Sequence, residues 1–287
     1  MGVFVFGLGA GQAAAGGLDD PRLVDAESWA FGIGNGNLAG GPGAVGDRLE
    51  RFDVVVIDGE DATPAEVAEL HGRDVAVLAY LSVGTIEKWR GWFHRVKRFR
   101  LNAWQDWKDE WFADVSKPRL RRILARRVAP RILAKGFDGL FLDNVDMIEP
   151  RRHRPQRAGM RKLVRSLAHL THGKGDLLFA QNGFWGLRRF GIREFLDGWN
   201  REDVTTRYDF DRRRYGRAPR RHRRAAMNEL ARMRELGLFT TAADYTKRPG
   251  GRLFEDSIAN ACSVGALPYV SNLGLTARRL PDPPLTC

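Results

Sequence analysis

In the segment Gly136–Asp146, acidic residues follow a strongly apolar stretch. These acids are the side chains of this sequence best suited to chemistry. Residues 137–142 are mostly Phe and Leu, which predicts a buried strand, and Asp143 and Asp146 arrive as that strand ends. Parallel α/β folds present reactive groups at the carboxyl ends of their strands. We therefore expect Asp143 to take part in a reaction. A turn-forming or helix-capping role is the alternative for Asp143, and Asp146 could either bind a substrate hydroxyl or cap the next helix.

Similar apolar stretches recur along the chain, and amphipathic, Arg-rich stretches of helical character separate most of them. This alternation predicts a parallel sheet, and eight units in a chain of 287 residues favour a closed barrel over an open sheet. We predict an α/β protein, a single-domain (β/α)8 TIM barrel. The predicted strands are 28–35, 53–58, 75–83, 137–143, 176–182, 195–200, 238–244 and 266–272.

Polar residues end most of these predicted strands, and in a barrel they would converge on one mouth. Acids break glycosidic bonds and aromatic faces stack on sugar rings, so a mouth that combines both predicts a sugar site. Aromatic residues such as Trp29, Tyr80 and Trp199 lie near these ends. The residues that we expect to bind substrate are Asp58, Tyr80, Ser82, Glu87, Asp146, Asn182 and Asp244.

Cleavage of a glycosidic bond usually needs two carboxyl groups, one protonated and one ionised. Asp143 is the candidate nucleophile, because the adjacent Asn144 could hold it in the ionised form. Glu202 follows the predicted strand 195–200 and has the longer side chain that an acid/base needs to reach a leaving oxygen. Taken alone, Glu202 could equally be a surface-loop acid. Asp138 lies at the opposite end of the strand, where we expect a supporting role.

Other chemistries find little support in the residue pattern. The histidines fall mostly on predicted helices or basic loops, which argues against a Ser-His-Asp hydrolase. Neither a Cys/His cluster nor a regular calcium loop is present in the sequence, so we predict no metal and no cofactor. The stretch 212–224 is predicted to be an Arg-rich helix, which is either solvated or binds phosphate.

The charge of the chain is strongly basic, with a net charge of +12 and a pI of about 10.3. Such an excess can indicate an anionic partner, but the basic residues are spread over several predicted helices and no nucleic-acid motif occurs. We therefore expect a polysaccharide rather than a nucleic acid as partner, and a monomer. Cys262 and Cys287 could form a disulfide, although Cys287 is the last residue.

The first residues, MGVFVFGLGA, form a short apolar run that small residues follow, as at the end of a secretory signal peptide. A basic start is missing, so the signal could be truncated; a disordered tail is the alternative. We divide the chain into residues 1–17 (signal remnant or tail), 18–280 (barrel) and 281–287 (tail). We expect a secreted or envelope-associated protein without a transmembrane segment.

Four motifs resemble those of the endo-α-1,4-polygalactosaminidase family, glycoside hydrolase family 114. They are YLSVGTIEKWR at 80–90, GFDGLFLDNVD at 136–146, QNG at 181–183 and DGWNRED at 197–203, and the resemblance runs from about residue 28 to 275. It implies a (β/α)8 barrel that hydrolyses α-1,4-linked galactosamine polymers with a carboxylate pair from strands four and six, here Asp143 and Glu202. It also implies that Tyr80, Ser82, Glu87 and Arg90 shape the substrate floor, although Glu87 and Arg90 could first of all form an ion pair.

The implied substrate raises an electrostatic question, since a deacetylated galactosamine polymer is cationic and so is this protein. A locally acidic mouth would attract the cationic polymer despite the basic net charge. Alternatively, the true substrate is neutral or anionic. Two alternative functions remain at this point: a catalytically silent barrel that binds glycan, and an Arg-rich barrel that binds anions or nucleic acid.

Overall fold

The computed structural model of the protein describes residues 17–34, 46–275 and 281–287. The predicted signal remnant or tail at 1–17 lies outside these ranges except for Gly17. No helix in the described ranges is both long and apolar enough to cross a membrane.

Eight parallel strands form the centre of the protein and pair in the order in which they occur along the chain. Each pairs only with parallel neighbours, which confirms the predicted α/β barrel. The strands are β1 (Trp29–Gly32), β2 (Val54–Asp58), β3 (Ala76–Ser82), β4 (Gly139–Asp143), β5 (Leu177–Gln181), β6 (Gly198–Glu202), β7 (Phe239–Tyr245) and β8 (Leu267–Ser271).

The first and last strands meet through one aromatic side chain. The indole N–H of Trp29 in β1 donates to the carbonyl oxygen of Leu267 in β8 over 2.9 Å. The ring of Trp29 also lies 5.4 Å from that of Tyr269. This contact brings both ends of the sheet together, so the carboxyl ends of all eight strands open on one side.

Aromatic rings fill the interior of the barrel. Phe31 packs against Phe141 at 5.1 Å and Tyr80 at 6.2 Å, while Phe179 packs against Phe239 at 5.9 Å between ring centres. Strands buried on both faces must be apolar almost throughout, which explains why β1 to β5 read as continuous apolar runs. The same property makes the polar residues at their carboxyl ends conspicuous.

Helices cover the outside of the barrel, and the longer ones fall in the amphipathic stretches between the predicted strands. The helix Pro64–His71 starts with a capping box, in which Thr63 and Glu66 bond each other's backbone N–H groups. Other helices are Gly46–Leu49, Phe93–Val96, Pro118–Ile123, Ala129–Leu133, Arg157–His172, Phe184–Arg189, Arg220–Glu235 and Arg252–Cys262. Short 3-10 turns occupy Gly17–Asp19, Lys97–Phe99, Val145–Ile148, Arg151–Gln156 and Arg193–Phe195.

A π-helical turn, Leu124–Val128, joins the helices Pro118–Ile123 and Ala129–Leu133 into one continuous helical segment. Its signature is the bond from the N–H of Ala129 to the carbonyl oxygen of Leu124, five residues earlier. Pro130 follows at once, and a proline inside a helix has no N–H to donate and crowds the carbonyl four residues before it. An extra residue in the turn relieves that crowding.

Two insertions with antiparallel strands lie beside the barrel. The first, after β3, contains Thr85–Glu87, Arg100–Ala103 and Glu110–Ala113. The second, after β6, pairs Thr206–Asp209 with Arg214–Arg217.

The second insertion corrects the Arg-rich helix predicted at 212–224. Arg213 has a left-handed backbone with φ of 48°, which turns the chain, and Tyr208 and Tyr215 pack 5.0 Å apart across the hairpin. The helix begins only after Pro219, at Arg220.

Cys262 and Cys287 form a disulfide, with Cα atoms 5.3 Å apart. The bond answers the question that the sequence left open and ties the last residue of the chain to the end of the helix Arg252–Cys262.

Gly198, the first residue of β6, tests how tightly the core is packed. A Cβ atom at this position would lie 2.2 Å from ring atoms of Phe179, so Gly198→Ala should lower the free energy of unfolding by about 1–3 kcal/mol. Gly216→Ala is the matched control, because nothing lies within 4 Å of the Cβ position there. Urea unfolding of both variants measures the effect, and equal stabilities would contradict the packing described.

Candidate active site

Asp143 is the last residue of β4, and three neighbours direct hydrogen bonds to its carboxylate. The hydroxyl of Tyr80 donates over 2.6 Å, and the amide of Gln181 donates over 3.0 Å. Asn144 donates twice, from its backbone N–H over 2.6 Å and from its side chain over 3.2 Å. Asn144 has a left-handed backbone with φ of 60°, and its own N–H bonds the preceding carboxylate. Together these donors favour the ionised form of Asp143.

The amide of Gln181 is oriented by a relay of side chains across the barrel. Its oxygen accepts from Asn200 over 2.9 Å, and the oxygen of Asn200 accepts from Thr241 over 3.0 Å. The amino group of Gln181 therefore has to face Asp143. This relay links β4 to β7 and fixes the carboxylate from the side opposite Tyr80.

Glu202 is the last residue of β6, which spans Gly198–Glu202 rather than the predicted 195–200. It is half-buried, so the surface-loop alternative is wrong. The hydroxyl of Tyr245 donates to one carboxylate oxygen of Glu202, and the amide of Asn182 donates to the other over 2.8 Å.

Asn182 is itself held by its neighbours. Its amide oxygen accepts from the guanidinium of Arg201 over 3.0 Å and from the backbone N–H of Glu202 over 3.1 Å. Arg201 in turn forms an ion pair with Glu229 at 3.1 Å. With its oxygen occupied in this way, Asn182 can only offer its amino group to Glu202.

The two carboxyl groups influence each other's protonation. Burial, followed by the charge of Glu202, raises the pKa of Asp143 to about 7, and burial also raises the pKa of Glu202. Two acids that interact in this way titrate as a pair and resist losing both protons. Asp143 receives four hydrogen bonds and Glu202 receives two, so the shared proton is better placed on Glu202.

Two further acids lie close to this pair and ionise less readily than usual. Burial and the charge of Asp143 raise the pKa of Asp146 to about 7. Burial and the charge of Glu202 raise the pKa of Asp203 to about 8. The side chain of Asp146 has no hydrogen-bond partner on another residue within the described ranges, which leaves its carboxylate available to a ligand.

Asp58 and Glu87 share one cation, Arg90. The guanidinium lies 2.7 Å from Asp58 and 2.5 Å from Glu87, which confirms the ion pair expected between Glu87 and Arg90. The guanidinium also lies 5.8 Å from the ring centre of Tyr80. All three charged side chains are buried, so the structure gives them a supporting place behind Tyr80. Direct substrate binding by Asp58 and Glu87 stays a prediction.

Ser82 belongs to a buried network that supports the turn after Asp143. Its hydroxyl lies 2.6 Å from that of Thr85, and the side chain of Asn144 donates to it over 3.0 Å. Thr85 donates to Glu110 over 2.5 Å. Glu110 lies on the first insertion, which thereby reaches the residue that follows the candidate nucleophile.

Asp244, the remaining predicted substrate-binding residue, is buried near the end of β7. It accepts hydrogen bonds of 2.8 Å from the backbone N–H groups of Thr205 and Thr206. These bonds hold the loop after Glu202, and burial raises the pKa of Asp244 to about 6. Its contact with substrate likewise stays a prediction.

Several residues that complete the site have no role predicted from the sequence. Gln181 immediately precedes Asn182, which ends a predicted strand. Its place beside the strand end is the signal that could have identified Gln181. Tyr245 follows Asp244 at the end of a predicted strand, where an aromatic residue suits a sugar site in general. Glu110 and Arg201 give no local signal, because only the fold brings them to the carboxylates.

A parallel (β/α)8 barrel with a pair of carboxyl groups at its mouth is the arrangement of many glycosidases. The profile of glycoside-hydrolase family GH114 matches residues 14–199, which is more than half of the chain. The chain therefore belongs to this family and is a glycosidase. The matched region includes Asp143 and ends before Glu202.

One sequence relative and two solved structures are similar to most of the chain. An uncharacterized protein of Deinococcus radiodurans is 26% identical over 244 residues, which cover 81% of this chain and 77% of the relative. The glycoside hydrolase domain of PelA from Pseudomonas aeruginosa is 25% identical with a TM-score of 0.73, over 89% of this chain and 98% of that domain. Ega3 from Aspergillus fumigatus, solved in complex with galactosamine, shares the fold at 17% identity and a TM-score of 0.67, over 88% of this chain and 93% of Ega3.

Glu110 makes the stability of the protein depend on pH. Burial raises its pKa to about 8, so the folded state keeps this proton over a pH range in which the unfolded chain has lost it. Stability should therefore fall as pH rises from about 4.5 to 8. Glu110→Gln can still accept from Thr85 but cannot ionise, so the variant should be more stable than the wild type at pH 9, on the order of 1 kcal/mol or more.

Urea unfolding at pH 5 and pH 9 checks this expectation, since the difference between wild type and variant should appear only at the higher pH. The same difference at both values would show that the ionisation of Glu110 does not cause it.

Proposed function

We propose that the protein hydrolyses an extracellular polysaccharide that contains α-1,4-linked galactosamine, with Asp143 and Glu202 as the catalytic pair. The observation that supports this most strongly is the unequal hydrogen bonding of two acids that share one mouth. One carboxyl group is prepared to be ionised and the other to hold a proton. This division is what glycoside cleavage requires.

In the proposed reaction, Asp143 attacks the anomeric carbon while Glu202 gives its proton to the leaving glycosidic oxygen. A covalent glycosyl-enzyme forms, and the polymer fragment with its new hydroxyl departs. Glu202, now ionised, accepts a proton from water as the water attacks the anomeric carbon and releases Asp143. Tyr80 and Gln181 keep the carboxylate of Asp143 in position, and Tyr245 and Asn182 do the same for Glu202.

The distribution of charge supports a substrate with amino groups. Asp143 and Asp146 present ionisable carboxylates near each other although the whole chain is basic, whereas Glu202 and Asp203 retain their protons more readily. An ammonium group on a sugar would find an unpartnered carboxylate in Asp146. The galactosamine bound in the Ega3 complex is consistent with this chemistry. The signal-like N-terminus supports action outside the cell.

Replacement of either catalytic acid should abolish cleavage. We expect Asp143→Asn and Glu202→Gln each to lower kcat by about a thousandfold or more, because each loses a reacting group and keeps its shape. The assay is the release of reducing ends from a panel of polysaccharides that includes galactosamine-rich polymers. Circular dichroism and melting temperature verify that the variants are folded.

Asp138→Asn is the matched control for the first substitution. Asp138 precedes the same strand at its opposite end, where it accepts from His71 and from the backbone N–H of Val77. It should retain activity. Full activity in Asp143→Asn or Glu202→Gln would remove that residue from the mechanism, and glycan binding without reducing ends in the wild type would favour a silent barrel.

Substitution of Asp146 tests whether the substrate carries positive charge. Asp146→Asn should raise KM about tenfold for a polymer with free amino groups, since one charge-assisted hydrogen bond is lost. The same polymer after N-acetylation should show no such change. Asp211→Asn, which removes an exposed acid on the second insertion, is the control for net charge. An equal effect on both polymers would contradict an ammonium contact at Asp146.

A further inference from the structure

The π-helical turn Leu124–Val128 changes which arginine faces the neighbouring helix. In a regular α-helix, five residues turn through about 500°, which would leave Arg127 about 140° away from Arg122. A π turn brings residues five apart to the same side. Arg119, Arg122 and Arg127 accordingly line one cavity, whereas Arg126 lines neither of the two cavities at this helix.

This outer cavity has a volume of about 450 Å³ and lies between the π-containing helix and the short helix Phe93–Val96. We call it the arginine groove. Its lining consists of His94, Arg95, Arg98, Arg119, Arg122, Ile123 and Arg127. An inner cavity of about 330 Å³ shares Arg95, Ile123 and Arg127 with the groove and also contains Arg131.

All five arginines of the groove are exposed, and none forms a salt bridge with a carboxylate of the described residues. The nearby acid Asp114 is occupied by Lys117 at 3.6 Å. Glu60 borders only the inner cavity, where it accepts from the backbone N–H of Gly91 over 2.8 Å. The groove therefore concentrates positive charge that the described part of the chain does not neutralise.

The composition of the groove indicates the class of its ligand. Guanidinium groups bind phosphate through paired hydrogen bonds, and several at one site require a partner of high charge density. A single-stranded nucleic acid would also present bases, which stack on exposed aromatic faces. Trp92 and Phe93 beside the groove are buried, and the guanidinium of Arg98 covers the ring of Phe99 at 4.9 Å.

We propose that the arginine groove is a non-catalytic binding site for a linear polymer that carries phosphate groups and no bases. The site is separate from the barrel mouth and independent of the proposed glycan cleavage. Binding at the arginine groove would hold the enzyme on a phosphate-rich polymer while the barrel mouth cleaves a different polymer, the glycan.

The test is the binding of long-chain inorganic polyphosphate to the full chain, measured by calorimetry at several salt concentrations. Arg122→Glu/Arg127→Glu should weaken binding about tenfold or more and reduce the dependence of log K on log salt, because phosphate contacts are lost. Arg126→Glu/Arg165→Glu makes the same change in net charge on exposed residues outside the groove, and we expect binding within about twofold of wild type. Melting temperatures confirm that both variants fold.

Four outcomes would overturn the proposal. Equal losses in both double variants would show that the groove is only part of a general basic surface, and no binding by the wild type would show that the groove takes no phosphate polymer. Groove-dependent binding of polygalacturonate as tight as that of polyphosphate would make carboxylate the recognised group. Groove-dependent binding of an oligothymidylate that is tighter than polyphosphate would assign the site to nucleic acid.

Discussion

Asp143 is a carboxylate at the end of a strand whose other residues are completely enclosed, and such a group must be stabilised by donors that the fold supplies. Tyr80 comes from β3, Gln181 from β5 and Asn144 from the sharp turn that follows β4. The insertion after β3 reaches the same turn through Glu110 and Thr85. Tight packing contributes directly, because a Cβ atom on Gly84 would lie 1.8 Å from the carbonyl oxygen of Asn144. The elements around β4 are thus arranged by the need to hold one buried charge.

Opposite charges occupy different parts of the molecule. The acids gather at the carboxyl ends of the strands, where burial and mutual repulsion raise their pKa values, and Arg90 neutralises the pair formed by Asp58 and Glu87. The arginines that give the chain its net charge of +12 lie mainly on outer helices and hairpins. The overall charge therefore says little about the substrate, since a cationic sugar meets the local potential of the mouth once it is close.

Much of the fold could be predicted from the sequence because a barrel strand buried on both faces has a distinctive apolar run that ends in a polar residue. Asp143 stands out for this reason, whereas Glu202 reads as a loop residue because β6 contains Asn200 and Arg201 within its paired residues. Glu110, Arg201 and the orientation of the amides depend on contacts between distant segments, for which one sequence holds no local signal. The hairpin at 206–217 is hard to distinguish from a helix because arginines are common in both.

The central claim is that Asp143 and Glu202 share a proton that rests on Glu202. The most direct test is a carbon-13 NMR titration of the Glu202 carboxyl group in the wild type and in Asp143→Asn. We predict a pKa for Glu202 that is raised in the wild type and falls in the variant, because an ionised Asp143 no longer opposes the ionisation of Glu202. An unchanged pKa would show that the two carboxyl groups do not interact and would contradict the proposed pair.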